Sequence, residues 1–482
     1  MRALCPRRPG SVVLGLAMVT AASAVALPAG APATARPSRG SAAAGPSGSR
    51  PSDVLLNGTA PFFGRVPSAN ASSLNNTLFA VSAVSGSDVW AVGDFNPGTV
   101  PTVAGRATLT EHWNGSSWRV IPSPNYVNGH HLVASHLRGV DAIAADNVWA
   151  VGYTEDFTAG TEQTLIEHWN GTAWSIVPSP SPGGGPDRLL AVDGIAAGNI
   201  WAVGQSTFQT SLIEHWNGSA WQAVSSPCQQ PQTGVVQISA TDAWSVSLLH
   251  SCHFDGTSWH AVPIAVPQRT EPCLFAVAAS APNDVWAVGE ADVNTSPPYA
   301  LPLVEHWNGA TWTADTNVPA RTLHGIDVLA SNNIYAVGDD EAFRPVAIHW
   351  DGHSWSLVAT PKPPSTGTLY AAETLTASDI WGAGSFFPDP HSGTKERTIT
   401  VHAPTATQGA ISGVSTTPLS TITWVGPVKG STTTDKAGRY AVSGLPPGQY
   451  AVINSYSGCA SDAASEAVAA GAVTVHNFHI CS

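Results

Sequence analysis

Apolar and polar residues alternate along most of this chain in short runs, a period of two that predicts brief β-strands with one buried face. "LFAVSAV", starting at Leu78, is one such run; "VWAVG" at 89–93 is another. Clusters of Gly, Asn, Asp and Ser separate them and supply turn chemistry. No stretch places apolar residues at helical spacing, so the expected fold class is all-β.

The strands repeat. "DVWAVG" (88–93) returns as "NVWAVG" (147–152), "NIWAVG" (199–204), "DAWSVS" (242–247), "DVWAVG" (284–289), "NIYAVG" (333–338) and "DIWGAG" (379–384). A Leu stands twelve residues before six of the seven aromatics (Leu78, Leu137, Leu189, Leu274, Leu323, Leu369), with Gln232 in the fourth copy. A second phrase follows: "LTEHWNGSSW" (109–118), "LIEHWNGTAW" (165–174), "LIEHWNGSAW" (212–221), "SCHFDGTSW" (251–259), "LVEHWNGATW" (303–312) and "AIHWDGHSW" (347–355). Each unit reads as four strands, a to d, the last pair joined by an Asn-Gly or Asp-Gly hairpin. Seven four-stranded units predict a propeller of seven blades. The seventh lacks strand d, so "FFGR" (62–65) is expected to complete it and close the ring, which removes an open sheet edge.

These phrases resemble the kelch and galactose-oxidase-like seven-bladed propellers, and look most similar to secreted bacterial propellers built on "DVWAVG…EHWNGtsW", over residues 60–405. A second resemblance covers 408–482. "TTDKAGRYAVSGLPPGQYAV" (433–452) is similar to the carboxypeptidase regulatory-like, transthyretin-type β-sandwich, which implies an accessory or adhesive module related in fold to starch-binding-like domains. The expected architecture is therefore a seven-bladed β-propeller closed by an N-terminal strand, followed by a small β-sandwich.

Composition changes the picture at the N-terminus. Arg2, Arg7 and Arg8 precede an apolar run from Val12 to Leu27, which reads as a secretory signal peptide over residues 1–35. An Ala, Pro, Gly and Ser-rich linker follows over 36–59. The chain carries 33 acidic and 20 basic residues; residues 1–50 hold six of the Arg and no acid, leaving 33 acids against 14 bases, or −19. Nucleic acid is thus an unsuitable partner, and no transmembrane segment is expected. Five Cys remain beyond Cys5. Cys459 and Cys481 flank the last sandwich strand and are expected to pair; two of Cys228, Cys252 and Cys273 are expected to bridge in an oxidising compartment.

The repeated His (His112, His168, His215, His253, His306, His349 and His402) suggest a metal ring only until the radial geometry is considered. Equivalent strand-c positions in a propeller lie far apart, so packing or hydrogen bonding is the expected role, and no metal ligands are assigned. Recurrent Trp fill the wedges between sheets, and recurrent Glu (Glu111, Glu167, Glu214, Glu305) are read as strand-pairing residues. Sequence signatures of the common hydrolases and nucleotide binders are missing. Length varies in the b–c and d–a connections, so one face of the disc carries variable loops. Those loops hold Tyr153, Glu155, Asp156 and Phe157; Glu290, Asp292 and Tyr299; Asp339, Asp340 and Phe343; and Phe386, Phe387, Asp389 and His391. Aromatic faces beside carboxylates suit sugar rings, a basic peptide, or Ca²⁺ between blades, with no other cofactor implied. The expected function is a secreted, non-catalytic binding or adhesion protein for carbohydrate or an extracellular protein. The alternatives are a galactose-oxidase-like or glycan-cleaving enzyme on the same face, and a protein-interaction scaffold.

Overall fold

A computed structural model describes residues 63–98, 105–126, 133–182, 185–207, 210–293, 299–358, 360–361, 363, 366–388, 395–403, 409–416, 419–425, 429–436, 438–445, 448–456, 462–468 and 473–478. The signal peptide, the linker, Asp389, His391, Cys459 and Cys481 lie outside them. Seven four-stranded antiparallel sheets follow one another around an axis. Their inner strands a are Asn76–Ser85, Val133–Ala144, Arg188–Ala196, Gln232–Ser239, Thr270–Ala281, Thr322–Ala330 and Gly367–Thr376. Each inner strand touches the inner strands on both sides, and the seventh touches the first, so the ring is closed.

Closure uses the expected strand. Gly64–Val66 pairs with Arg397–Ala403 in the register Gly64↔His402, Arg65↔Val401 and Val66↔Thr400, as strand d of blade seven. Phe63, fully buried, joins the cluster around Tyr335 where other blades use a Trp. The C-terminal part forms two facing sheets. One contains Gly409–Val414, Arg439–Leu445 and Val473–Val475; the other contains Thr421–Val425, Lys429–Thr433, Gly448–Ser455 and Asp462–Val468. Ile411, Ile422, Trp424, Tyr440, Tyr450 and Phe478 fill the space between them. Arg439–Leu445 lies alongside the closing strand Gly64–Val66, so the sandwich sits against the joint of the ring.

The repeated phrase is that joint's counterpart in every blade. All seven His place Nε2–H on the Asp or Asn two residues before their blade's aromatic, at 2.7–2.9 Å. Each imidazole also packs on that aromatic, stacked in four blades and tilted in three, with ring centroids 3.9–4.5 Å apart. The aromatic in turn reaches into the next blade: Trp90 lies 4.9 Å from Trp169 and meets Trp174 edge-on at 5.2 Å. Corresponding clusters join blade two to three, three to four, four to five, five to six and seven to one. The imidazoles therefore serve separate wedges and do not converge. Among the described residues no three His, Cys, Asp or Glu are grouped as a metal site requires.

The recurrent Glu has a role beyond strand pairing. Its carboxyl is buried and holds the d–a crossover that enters its own blade: Ala69 N–H donates to Glu111 at 3.1 Å, Ser179 Oγ–H to Glu214 at 3.1 Å, and Ala265 N–H to Glu305 at 3.3 Å. Blade four has Cys252 at this position, and a disulfide ties it to Cys228 in the matching crossover. Blades six and seven have Ile348 and Val401, packed in their apolar clusters. One joint is made in three chemistries.

Candidate functional site

Every inner strand slips register twice, once near its end and first immediately after the repeat's Leu or Gln: between Leu78 and Ala80, Leu137 and Gly139, Leu189 and Ala191, Gln232 and Gly234, Leu274 and Ala276, Leu323 and Gly325, Leu369 and Ala371. The extra residue of such a bulge is unpaired, and its side chain is re-aimed. Here those residues are Phe79, Arg138, Leu190, Thr233, Phe275, His324 and Tyr370, and all seven line one cavity of about 240 Å³ on the ring axis. The bulge also explains the recurrent Gly within strand b. A Cβ on Gly93, Gly152, Gly204, Gly289, Gly338 or Gly384 would sit within about 2 Å of a carbonyl oxygen of the strand beside it. Only the absent side chain lets the backbone approach so closely.

The cavity walls are unequal. Phe275, His324, Tyr370, Phe79 and Arg138 form a continuous arc: successive ring centroids lie 5.3, 5.5 and 5.5 Å apart, and the Arg138 guanidinium lies 4.0 Å from the centre of Phe79. Leu190 and Thr233 stand on the other side. The floor is a girdle of Val81, Val140, Val192, Val235, Val277, Ile326 and Ala372, one per blade, each only 6–9 % exposed. Below the girdle a second cavity of about 200 Å³ is lined by Ser82, Asp141, Asp193, Asp327 and Glu373, among others. Asp141, Asp193 and Asp327 there accept the N–H of Gly194, Gln237 and Thr374 from the next blade, so they lock blade to blade.

Above the arc, the residue following the strand-b Gly grips the residue preceding the Leu of the next blade. Asp94 accepts from His136 at 2.7 Å, Glu290 from Thr322 at 3.0 Å and Asp339 from Thr368 at 3.2 Å; Tyr153 stacks under Arg188 at 4.6 Å. Between blades seven and one Glu396 takes this part, bound to Ser385 and Thr77. Burial pushes the Asp94 carboxyl up, but the hydrogen bond from His136 and the charges of Arg138, His136 and Arg106 outweigh it and hold it down at about 2. Asp339 is held by Arg321 and faces His324 at 3.5 Å. Burial pushes the Tyr370 hydroxyl up to about 12, so it remains a donor.

The loop residues named from sequence divide into five groups. Tyr153, Glu290 and Asp339 occupy equivalent rim positions, each gripping the next blade. Asp156 and Asp340 cap their own turns, by accepting from Thr158 and Ala159 and from Ala342 and Arg344. Glu155 and Asp292 are half-buried. Phe386 is buried beneath Arg65, 4.4 Å from its ring. Phe157, Tyr299, Phe343 and Phe387 are exposed, with Arg321 over the Phe343 ring at 4.3 Å. Sequence reasoning missed the bulge ring and Asp94. The signal was present: in "LFAV", "LRGV", "LLAV", "QTGV", "LFAV", "LHGI" and "LYAA" the second letter alone changes freely.

No protein-family model and no curated protein matches this chain. Among solved structures, YCF48 bound to D1 peptide is similar with a TM-score of 0.45 at 12 % identity, covering 70 % of this chain and 99 % of that one. U3-55K reaches 0.45 at 9 % identity, covering 71 % and 98 %. The extracellular domain of BT3049 from B. thetaiotaomicron reaches 0.45 at 9 % identity, covering 83 % and 54 %. Likeness at this level concerns backbone arrangement and carries nothing about ligands.

Proposed function

We propose that this chain is a secreted binding or adhesion protein of kelch-like type whose variable-loop face takes carbohydrate. One observation carries the reading. Among the described residues of the propeller, every exposed large aromatic lies on that face: Tyr126 in a d–a crossover, and Phe157, Tyr299, Phe343 and Phe387 in b–c connections. The other face and the perimeter expose only aliphatic side chains among their large hydrophobics. Aromatic planes on rigid blades suit the C–H faces of sugar rings, while Asp and Glu beside them accept hydroxyl hydrogens. The buried Cys228–Cys252 disulfide supports an oxidising destination, and no described helix is long and apolar enough to cross a membrane.

The buried carboxylates of the rim are engaged in joining blades, Asp94 by His136 and Arg138 and Asp339 by Arg321 and Thr368. A glycan array read with the full secreted protein tests the reading. Glycan retention that falls at least about tenfold in Phe343→Ala and Tyr299→Ala supports it; a blank array, or binding untouched by both changes, overturns it. Turnover of a bound glycan would transfer support to the carbohydrate-active enzyme, and co-purification with an extracellular polypeptide to the scaffold.

A further inference from the structure

The channel mouth adds a distinct pocket to the aromatic face. We propose that the bulge ring is an end-on subsite that takes one terminal, uncharged sugar ring; this rests on the carbohydrate reading above. Three observations carry it. The first is position: the bulge ring surrounds the upper cavity on the axis, on the side of the loop face, and an apolar girdle lines it from below, between it and the more polar second cavity. The second is size. At about 240 Å³ the cavity falls just short of the roughly 300–1,000 Å³ of drug-sized sites, which suits a single pyranose and excludes a disaccharide.

The third is chemistry. The arc from Phe275 through Tyr370 to Phe79 offers aromatic surface on one side, and Leu190 with Thr233 leaves space opposite. Polar atoms at the arc belong to His324 and Tyr370, which donate to ring hydroxyls. Both terminal nitrogens of Arg138 are already engaged, one by Asp94 and the Leu137 carbonyl, the other by Tyr153 Oη, so no bare cation invites an anion. The Asp339 carboxylate is likewise held by Arg321, so no bare anion invites a cation. A neutral ring with an apolar face and hydroxyl edges is what remains. The bulge letters then determine specificity, because they are the channel positions that differ in size and polarity from blade to blade.

The experiment titrates the full protein with the methyl glycosides of glucose, galactose, mannose and N-acetylglucosamine, observed by saturation-transfer NMR. At least one is expected to bind in the millimolar range. Leu190→Trp, which plugs the cavity, is expected to weaken it by at least about tenfold, and Tyr370→Ala similarly, while Leu357→Ala, exposed on the outermost strand of blade six, leaves it within about twofold. Both pocket variants are first checked for an unchanged melting profile; should Leu190→Trp misfold, Tyr370→Ala decides. Failure of all four glycosides to bind, or binding that survives the intact-folded pocket variant, overturns the end-on subsite. The glycan array separates the two proposals: array binding with no glycoside binding removes the subsite and leaves the carbohydrate face, whereas a blank array removes both.

Discussion

The most exacting residues in this protein are buried carboxyls that work as acids, not as charges. Burial pushes Glu111, Glu167, Glu214 and Glu305 up to about 8, against hydrogen bonds from Ala69 to Glu111, Ser179 to Glu214 and Ala265 to Glu305 and the nearby Ser123 hydroxyl at Glu167, which pull the other way. For Glu214 the Asp187 charge adds to the rise. A folded value above the unfolded one means the native state prefers the proton. This contribution is full below the ordinary Glu range near ~4.3 and is lost as pH climbs through about 8. Glu305→Gln keeps the shape and removes the titration. It is expected to raise the melting temperature by about 3 °C at pH 8 and by less than about 1 °C at pH 5, measured by differential scanning calorimetry. Asp94 works in the opposite direction, since a value held at about 2 contributes stability that disappears as pH falls from about 4 toward 2. Among the aromatics, Trp381 touches both Trp113 and Trp118 of blade one and stacks on His402 at 3.9 Å. Trp381→Ala is expected to cost about 3–5 kcal/mol in urea unfolding, because no neighbour can fill the wedge.

At the scale of the strand, the inner-strand bulge decides what could be read in advance. Alternation locates Leu78 and Trp90 correctly because those positions obey a period of two and keep their twelve-residue spacing, and His112 is located by the fixed phrase "EHWNG" around it. It fails at Phe79 and Tyr370, where one added residue turns the side chain from the sheet face toward the axis. The strand-b Gly records the same event from the other side, and Gly152→Ala, whose Cβ would meet the His136 carbonyl oxygen, is expected to destabilise by more than about 1 kcal/mol in the same unfolding assay. Asp94 was equally out of sight, since its value depends on His136 and Arg138 in the next blade and no local pattern links them. The crossover joint offers a direct exchange of chemistries. Cys228→Ser with Cys252→Ser is expected to lose about 2–4 kcal/mol. Cys228→Ser with Cys252→Glu is expected to recover part of that loss, because Ser226, five residues after Trp221 as Ser179 is after Trp174, is placed to copy the Ser179–Glu214 contact of blade three, as read by chemical denaturation.

For the whole molecule, the ring was legible from the missing seventh strand d, because an open blade edge demands a partner and only one segment resembled it. The way the sandwich lies beside that closing strand was not legible, since no repeat or spacing relates the two modules. Truncation through Val66 is expected to leave Arg397–Ala403 as an unpaired edge, lower the melting temperature and promote self-association, visible by size-exclusion chromatography.

The pairing of Gly64 with His402 sets a clock on maturation. The two residues are 338 positions apart, so this strand, once it has left the ribosome, has to wait for nearly the last part of the ring before it finds its partner strand. Local hairpins form within each sheet early, at little entropic cost, whereas shutting the circle is the slow, long-range step. A chain that crosses a membrane unfolded would therefore complete itself only on the far side, once blade seven has arrived, and until then it would depend on chaperones to shield its ends.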